Sequence, residues 1–301
     1  MIEEGLLSKF KGAMLAAALG DALGAHRRKR GGILRYTDDT AMTIALAESI
    51  IETGRVDSID IAEKFIEHYE REPWRGYGPG PPRIFRIMRR KGISMGLDRL
   101  FYPGGSYGNG AAMRITPVAL LYHDEPSLLR KAVEASCRPT HSNPLAIEGA
   151  YLEASAIALA LRANSSQKTD PRKFLETLRN GIQSKIYLEK LELVEDLLVR
   201  EADRSEVVEK LGNGVEAFNS VPTAIYSYLR KQNPMETIEY AISLGGDTDT
   251  IACMAGAIAG AHKGVEEIPP ALLERLENRK RIEETAEKLW RLKIRWERSP
   301  P

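Results

Sequence analysis

The sequence has too few cysteines and too little net charge for several classes of protein. Its 301 residues include two cysteines, Cys137 and Cys253, which cannot build a disulfide framework and do not have metal-site spacing. A reducing cytoplasm is therefore the expected location. Lysine and arginine total 43 and aspartate and glutamate total 42, so the formal net charge is +1. A global basic field for nucleic acid is absent, and we predict no nucleic-acid site.

Features of exported or membrane-spanning chains are also missing from the sequence. Glu3 and Glu4 stand where a signal peptide would be basic. The apolar segment 12–25 is shorter than a bilayer span and contains Asp21. We therefore interpret this segment as a buried helix that ends near a hydrogen-bonded structural carboxylate. We expect a monomer with no membrane partner.

The sequence also lacks the patterns that predict β-strands. No run of alternating β-branched residues lies between turn signals, whereas helical periodicity extends along almost the whole chain. The glycine- and proline-rich stretch 76–82 is typical of a loop, and no segment has the composition of an interdomain linker. We predict a single all-α domain over residues 1–301. Its helices are expected at about 6–24, 39–53, 58–70, 81–91, 111–122, 126–136, 143–163, 171–180, 184–198, 203–211, 221–231, 234–243, 250–262 and 269–297.

Two acidic clusters that lie far apart in the chain are built alike. Residues 37–40 read Thr-Asp-Asp-Thr, and residues 247–250 read Asp-Thr-Asp-Thr after two glycines. Each cluster precedes a run of small apolar residues, which predicts a helix N-terminus. Helix capping alone would explain the first cluster. The helix after the second cluster is apolar on all sides and therefore buried, so its aspartates need compensation for their charge.

Taken together, the two clusters favour metal binding over capping alone. Carboxylate and hydroxyl oxygens are hard donors, which suit Mg²⁺ or Mn²⁺ better than zinc or copper. If the clusters meet in space, four carboxylates share one pocket. Such a group repels itself unless cations or protons bind to it.

A glycine-rich loop and a histidine add weaker signals. Residues 104–110 read Gly-Gly-Ser-Tyr-Gly-Asn-Gly and precede a predicted helix, an arrangement that suits a phosphate or diphosphate. This loop is not a dinucleotide fingerprint, because no strand precedes it and its glycine spacing differs. His141 lies in a polar turn before another helix. Its pattern allows either a structural role or a contact with a ligand.

Together these segments resemble the ADP-ribosylglycohydrolase family, which includes the dinitrogenase-reductase-activating glycohydrolases. The matching stretches keep the family's order and cover about residues 7–270. They are Gly-Asp-Ala-Leu-Gly (20–24), Tyr-Thr-Asp-Asp-Thr-Ala-Met (36–42), Gly-Tyr-Gly-Pro-Gly (76–80), Gly-Asn-Gly-Ala-Ala-Met-Arg (108–114), Thr-His-Ser (140–142) and Leu-Gly-Gly-Asp-Thr-Asp-Thr-Ile-Ala (244–252). The pair of acidic stretches is the most specific part of the match.

The resemblance implies an all-α domain with two divalent metal ions, Mg²⁺ or Mn²⁺, at the base of a cleft. One ion would be held by Thr37, Asp38, Asp39 and Asp249. The other would be held by Asp247, Asp249 and Thr250, with Asp249 bridging the two. The ADP-ribose site would be lined by Gly105, Ser106, Tyr107, Gly108 and Asn109, with His141 nearby.

The implied reaction is hydrolysis of the bond between C1″ of ADP-ribose and an attached group on a protein side chain or small molecule. Cleavage builds oxocarbenium-like charge on the ribose. The resemblance makes Asp38, Asp39 and Asp249 the catalytic candidates. Asp38 or Asp39 would accept a proton from the attacking water.

One departure from the family pattern concerns the segment between Ala25 and Tyr36. Family members usually carry a carboxylate there, on a mobile loop, and this segment has none. Either another residue replaces it, or the site is more open and slower, or turnover is lost. The alternatives are thus an ADP-ribose or nucleotide binder of the same fold, or a dimetal hydrolase of another phosphorylated nucleotide or nucleoside. The basic run 27–30 is either a solvated loop or a cationic rim that attracts an acidic target.

Overall fold

Helices form nearly all of the regular backbone in residues 2–25 and 32–298, the part of the chain that this computed structural model describes. The first seven helices are α1 (Ile2–Ala25), α2 (Asp38–Thr53), α3 (Ser58–Arg71), α4 (Gly80–Lys91), α5 (Thr116–Leu121), α6 (Pro126–Cys137) and α7 (Pro144–Arg162). The remaining eight are α8 (Pro171–Gly181), α9 (Lys185–Val199), α10 (Arg204–Leu211), α11 (Ala217–Lys231), α12 (Pro234–Ser243), α13 (Thr248–Lys263), α14 (Pro270–Leu273) and α15 (Arg279–Arg298).

The connections contain short 3₁₀ turns at Leu97–Leu100, Asn109–Ala111 and Val265–Glu267. Over the described ranges, β pairing is confined to two isolated bridges, Leu34 with Leu276 and Gly108 with Glu216. The prediction of a single all-α domain is confirmed, while its limits at residues 1 and 301 stay a prediction.

Helices α1 and α13 form the centre of the fold and place the site. Both are buried along most of their length, and their backbones approach each other closely. A Cβ atom on Gly20 would lie 2.1 Å from the Ala252 carbonyl oxygen, and one on Gly24 would lie 2.5 Å from the Asp249 Cα. Glycine is therefore required at both positions. This contact brings Asp21 of α1 next to the start of α13, which carries the second acidic cluster.

Two of the predicted helices are interrupted in the structure. The helix expected over 111–122 is a 3₁₀ turn followed by α5, because Pro117 has no N–H to donate and fits only in the first turn of α5. The helix expected over 269–297 divides into α14 and α15. The intervening segment bonds instead to Leu34, which donates to the Arg275 carbonyl (2.8 Å) and accepts from the Glu277 N–H (2.9 Å).

Helix α7 has the length and apolar composition of a membrane span, which the sequence reading did not note. In the folded chain, 67% of its most apolar 18-residue window is buried. Helix α7 also packs against α6, α11 and α13. Within the described part of the chain its apolar surface is thus used mainly in the core, as in the central helix of a bundle.

Candidate metal and ligand site

The two acidic clusters and the glycine-rich loop meet in one cavity of about 490 Å³. Helices α2 and α13 each present their first turn to it, and the loop before α5 forms another wall. Of the residues predicted for the site, the lining includes Asp38, Asp39, Ser106, Tyr107, Gly108, Asn109, His141, Asp247, Asp249 and Thr250. Thr37 and Gly105 are not among the lining residues. Residues 26–31, which hold the basic run, fall outside the described residues.

Asp21 fixes the first acidic cluster through hydrogen bonds. Its buried carboxylate accepts hydrogen bonds from the backbone N–H groups of Thr37 (2.9 Å) and Thr40 (3.0 Å), and from both hydroxyls, at 2.8 and 2.6 Å. Thr37 is also the N-cap of α2, where its hydroxyl accepts from the Asp39 N–H. The predicted structural role of Asp21 is therefore confirmed. Thr37 also caps α2, as the capping interpretation predicted, and it does so beside the acidic cavity.

The carboxylates of the first cluster are poorly compensated. Asp39 is 3% exposed, and its Oδ2 atom is buried without a hydrogen-bond partner in the described structure. Burial, reinforced by the charges of Asp21 and neighbouring aspartates, raises the pKa of Asp38 to about 7 and that of Asp39 well above its ordinary value. Protons or cations therefore bind here more readily than at isolated carboxylates.

The second cluster is tied to the glycine-rich loop. The Asp247 carboxylate accepts a hydrogen bond of 2.6 Å from the Asn109 side-chain amide. Burial raises the pKa of Asp247 to about 6, although the Asn109 bond opposes this shift. Asp249 lies in the first turn of α13 and accepts from the Thr250 N–H at 3.0 Å. Asn109 is thus the link between the loop and the acidic wall.

The donor chemistry fits hard divalent cations such as Mg²⁺ or Mn²⁺. The cavity offers carboxylates, a threonine hydroxyl and the unpaired Asp39 Oδ2 atom. Within residues 2–25 and 32–298, however, no group of three or more His, Cys, Asp or Glu side chains has the arrangement that would hold a metal ion. A bound ion would therefore need threonine, water or substrate oxygens in addition to carboxylates, which is the usual coordination of Mg²⁺.

The glycine-rich loop uses several of its backbone N–H groups internally. Ser106 N–H donates to Asp98 (2.8 Å), Gly108 N–H to the Ser106 hydroxyl (3.3 Å) and Asn109 N–H to the Val215 carbonyl (2.9 Å). These groups are not free to cradle an anion, contrary to the simplest expectation from glycine-rich composition. Ligand recognition at this wall therefore depends more on side chains.

Asp98 is a structural anchor of the site that the sequence reading missed. This fully buried carboxylate uses one oxygen to accept from the Ser106 N–H (2.8 Å), the Ser142 N–H (2.8 Å) and the Ser142 hydroxyl (3.1 Å). It therefore joins the glycine-rich loop to the turn that carries His141. No local signal marks it, because its partners lie up to 44 residues away in the sequence.

The outer rim of the cavity is aromatic and partly open. Tyr107 is 50% exposed, and its ring lies 5.9 Å from that of Phe218. Val215 and Glu216 from the segment before α11 also line the cavity. Glu216 supplies a carboxylate outside the two acidic clusters. It is therefore a candidate to replace the carboxylate missing between Ala25 and Tyr36.

Comparison with known proteins gives matches over nearly the whole chain. A sequence model described as ADP-ribosylglycohydrolase matches residues 3–299. ADP-ribosylhydrolase ARH3 of Bos taurus is 35% identical over an alignment of 345 positions, which covers 95% of this chain and 93% of that protein. ADP-ribosyl-[dinitrogen reductase] glycohydrolase of Rhodospirillum rubrum is 29% identical and covers 88% of this chain and 89% of its own length. Among solved structures, one chain of an ADP-ribosylglycohydrolase-related protein complex has a TM-score of 0.76 and 25% identity, covering 96% of this chain and 99% of that one.

Proposed function

The chain belongs to the ADP-ribosylglycohydrolase family, and from this premise we propose that it hydrolyses the C1″ glycosidic bond of ADP-ribosylated substrates in the acidic cavity. The observation that carries the proposal is the meeting of both acidic clusters with the glycine-rich loop in one cavity. The attached group that leaves is either a protein side chain or a small molecule. The rim shape around Tyr107 and Val215 would select between them.

Divalent cations, Mg²⁺ or Mn²⁺, are part of this proposal. The donor set would comprise Thr37, Asp38, Asp39, Asp247, Asp249 and Thr250. When bound, such ions supply positive charge that orients ribose hydroxyls and makes hydroxide available near neutral pH. The raised pKa values of the aspartates and the unpaired Asp39 oxygen support a site built to hold added positive charge.

The side chains of the cavity would carry out binding and proton transfer. Asp38 or Asp39 accepts the proton of the attacking water, because both carboxylates line the cavity and burial raises the pKa of each above its ordinary value. The remaining aspartates stabilise the positive charge that develops on the ribose. Ser106, Asn109 and His141 provide polar contacts to ADP-ribose beside the aspartates.

Direct assays with defined linkages test the proposal. Purified protein is incubated with ADP-ribosyl-arginine, ADP-ribosyl-serine and O-acetyl-ADP-ribose, with Mg²⁺, with Mn²⁺ or with EDTA. We expect ADP-ribose release from at least one substrate and its loss in EDTA. Release that persists undiminished in EDTA would contradict metal dependence, whereas no release from any substrate would contradict the hydrolase proposal.

A binding protein without turnover is the second candidate, and the missing carboxylate between Ala25 and Tyr36 favours it. This candidate predicts that ADP-ribose binds more tightly than AMP although no linkage is cleaved. Calorimetry with the two ligands, beside the assays above, separates the candidates. A cytoplasmic location and a monomeric state stay predictions.

A further inference from the structure

We propose that Thr140, itself fixed by Arg114, is a positioning residue that keeps His141 in the tautomer with its proton on Nε2. In this tautomer a neutral N–H donor lies beside the glycine-rich loop, on a residue that lines the ligand cavity. Only the identity of the ligand, ADP-ribose, rests on the proposed function. The hydrogen-bond chain itself is a property of the protein without ligand.

The chain of hydrogen bonds begins at Arg114, a buried cation that has no carboxylate partner among the described residues. The Arg114 side chain is 1% exposed, and its guanidinium lies 4.5 Å from the centre of the Phe65 ring. It donates to the Gly110 carbonyl (2.7 Å) and to the Thr140 hydroxyl oxygen (2.7 Å). A guanidinium can only donate, so Thr140 must be the acceptor in this contact.

The second step sets the direction of the Thr140 hydroxyl. Its oxygen lies 2.8 Å from His141 Nδ1, and these two contacts account for its hydrogen bonds in the described structure. If Nδ1 carried the proton, Thr140 would accept from both sides. Its own proton would then have no partner at a site that is only 2% exposed, which is costly. The satisfied arrangement has Thr140 donating to Nδ1, and this places the histidine proton on Nε2.

The third step is the position of the Nε2–H group. His141 lines the cavity, and its Nε2 makes no hydrogen bond within residues 2–25 and 32–298. Cβ atoms built on Gly110 and Gly108 would lie 3.2 and 3.6 Å from Nε2, so the ring faces the glycine-rich loop. Burial and the Arg114 charge lower the pKa of His141 to about 3, which agrees with a neutral ring.

A neutral donor at this position has a defined chemical use. Several loop N–H groups are already paired, so the Nε2–H group is a side-chain donor available to an oxygen acceptor on the ligand. The acceptor would be a phosphate oxygen or a ribose hydroxyl of ADP-ribose. Because the donor carries no charge, it distinguishes ligands by direction and reach more than by charge.

Nuclear magnetic resonance of the ligand-free protein tests the tautomer directly. The sequence has five histidines, so long-range ¹H–¹⁵N spectra of histidine-labelled protein are simple, and loss of one spin system in His141→Gln assigns the residue. We expect an unprotonated Nδ1 and a protonated Nε2. A proton on Nδ1, or on both nitrogens at neutral pH, would overturn the proposal.

Two variants of Thr140 separate positioning from packing. Thr140→Val removes the hydroxyl at nearly constant volume, whereas Thr140→Ser keeps it. Valine should allow the proton to populate Nδ1 and should weaken ADP-ribose binding about tenfold, while serine should preserve both properties. Thr237→Val is the matched control, because the buried Thr237 hydroxyl has no hydrogen-bond partner in the described structure.

An unchanged tautomer in folded Thr140→Val would contradict the proposal. If that variant does not fold, a proton on Nδ1 in the wild-type or Thr140→Ser spectra would still overturn the proposal. If ADP-ribose fails to bind the wild-type protein, the proposed function is wrong, but the tautomer result stands by itself.

Discussion

The acidic wall of the cavity brings several carboxylates together, whereas the loop wall is held mainly by hydrogen bonds between neighbouring segments. On the loop wall, Asp98 Oδ2 accepts from Ser106 and Ser142 while Asp98 Oδ1 is buried without a partner in the described structure, and a separate chain of hydrogen bonds joins Arg114, Thr140 and His141. On the acidic wall, Asp38, Asp39 and Asp247 have raised pKa values, and Asp39 has an unpaired buried oxygen. The comparison indicates a preformed ligand wall joined through Asn109 to a wall that needs added positive charge.

The largest effect should follow changes in the acidic wall. Asp249→Asn removes a charge from the aspartate proposed to bridge two ions, whereas Asp38→Asn affects one ion. We expect kcat/KM to fall at least about 10²-fold in Asp249→Asn, with a smaller loss in Asp38→Asn. Steady-state assays on the cleaved linkage, with metal at saturation, measure the difference. Equal losses in the two variants would remove the reason to assign the bridging role to Asp249.

An intermediate effect is expected from the loop wall. Asp98→Ala leaves the Ser106 and Ser142 donors unpaired in a buried site, which should destabilise the protein by about 1–3 kcal/mol and weaken ADP-ribose binding. Asp98→Asn is the matched variant. Asp98 accepts through Oδ2 only, so asparagine keeps that acceptor, but its amide NH2 would take the buried Oδ1 position, which has no partner in the described structure. We therefore expect a loss smaller than that of alanine but not zero. Chemical unfolding and ligand titration check both variants, and similar losses in the two would exclude this explanation.

Mg²⁺ affinity provides the control for the comparison of Asp98→Ala with Asp98→Asn. If the two walls have separate roles, Asp98→Ala should still bind Mg²⁺ as the wild type does. A folded Asp98→Ala protein that no longer binds Mg²⁺ would show that the loop wall is also needed to build the metal site.

The smallest effect is a dependence of stability on pH. The carboxyls of Asp21, Asp38 and Asp247 should release their protons near pH 4 in the unfolded chain, but folding raises their pKa values to about 6, 7 and 6. Their contribution to stability is therefore complete below pH 4 and is lost as pH rises towards 7. Mg²⁺ should offset this loss, so its addition should raise Tm more at pH 8 than at pH 5. An equal rise at both pH values would contradict the account.

The sequence predicted the fold class, and ten of its twelve predicted site residues line the cavity, because their signals are local. Each acidic cluster lies at the start of its own helix, and the helical pattern of α2 and α13 continues from there without a break. Asp98 and the Arg114–Thr140–His141 chain were not predicted, because they depend on contacts between segments that are distant in the sequence. The interruption at Pro117 was missed because the apolar pattern of residues 111–122 continues across the break.

Titration calorimetry with Mg²⁺ tests the central claim, that the acidic wall is a site for divalent cations. The wild-type protein and the Asp247→Asn/Asp249→Asn double variant are compared at pH 8, after circular dichroism has shown that both are folded. The account predicts binding of two ions to the wild type and loss of that binding in the double variant. Unchanged Mg²⁺ binding in the double variant, or no binding to the wild type, would contradict it.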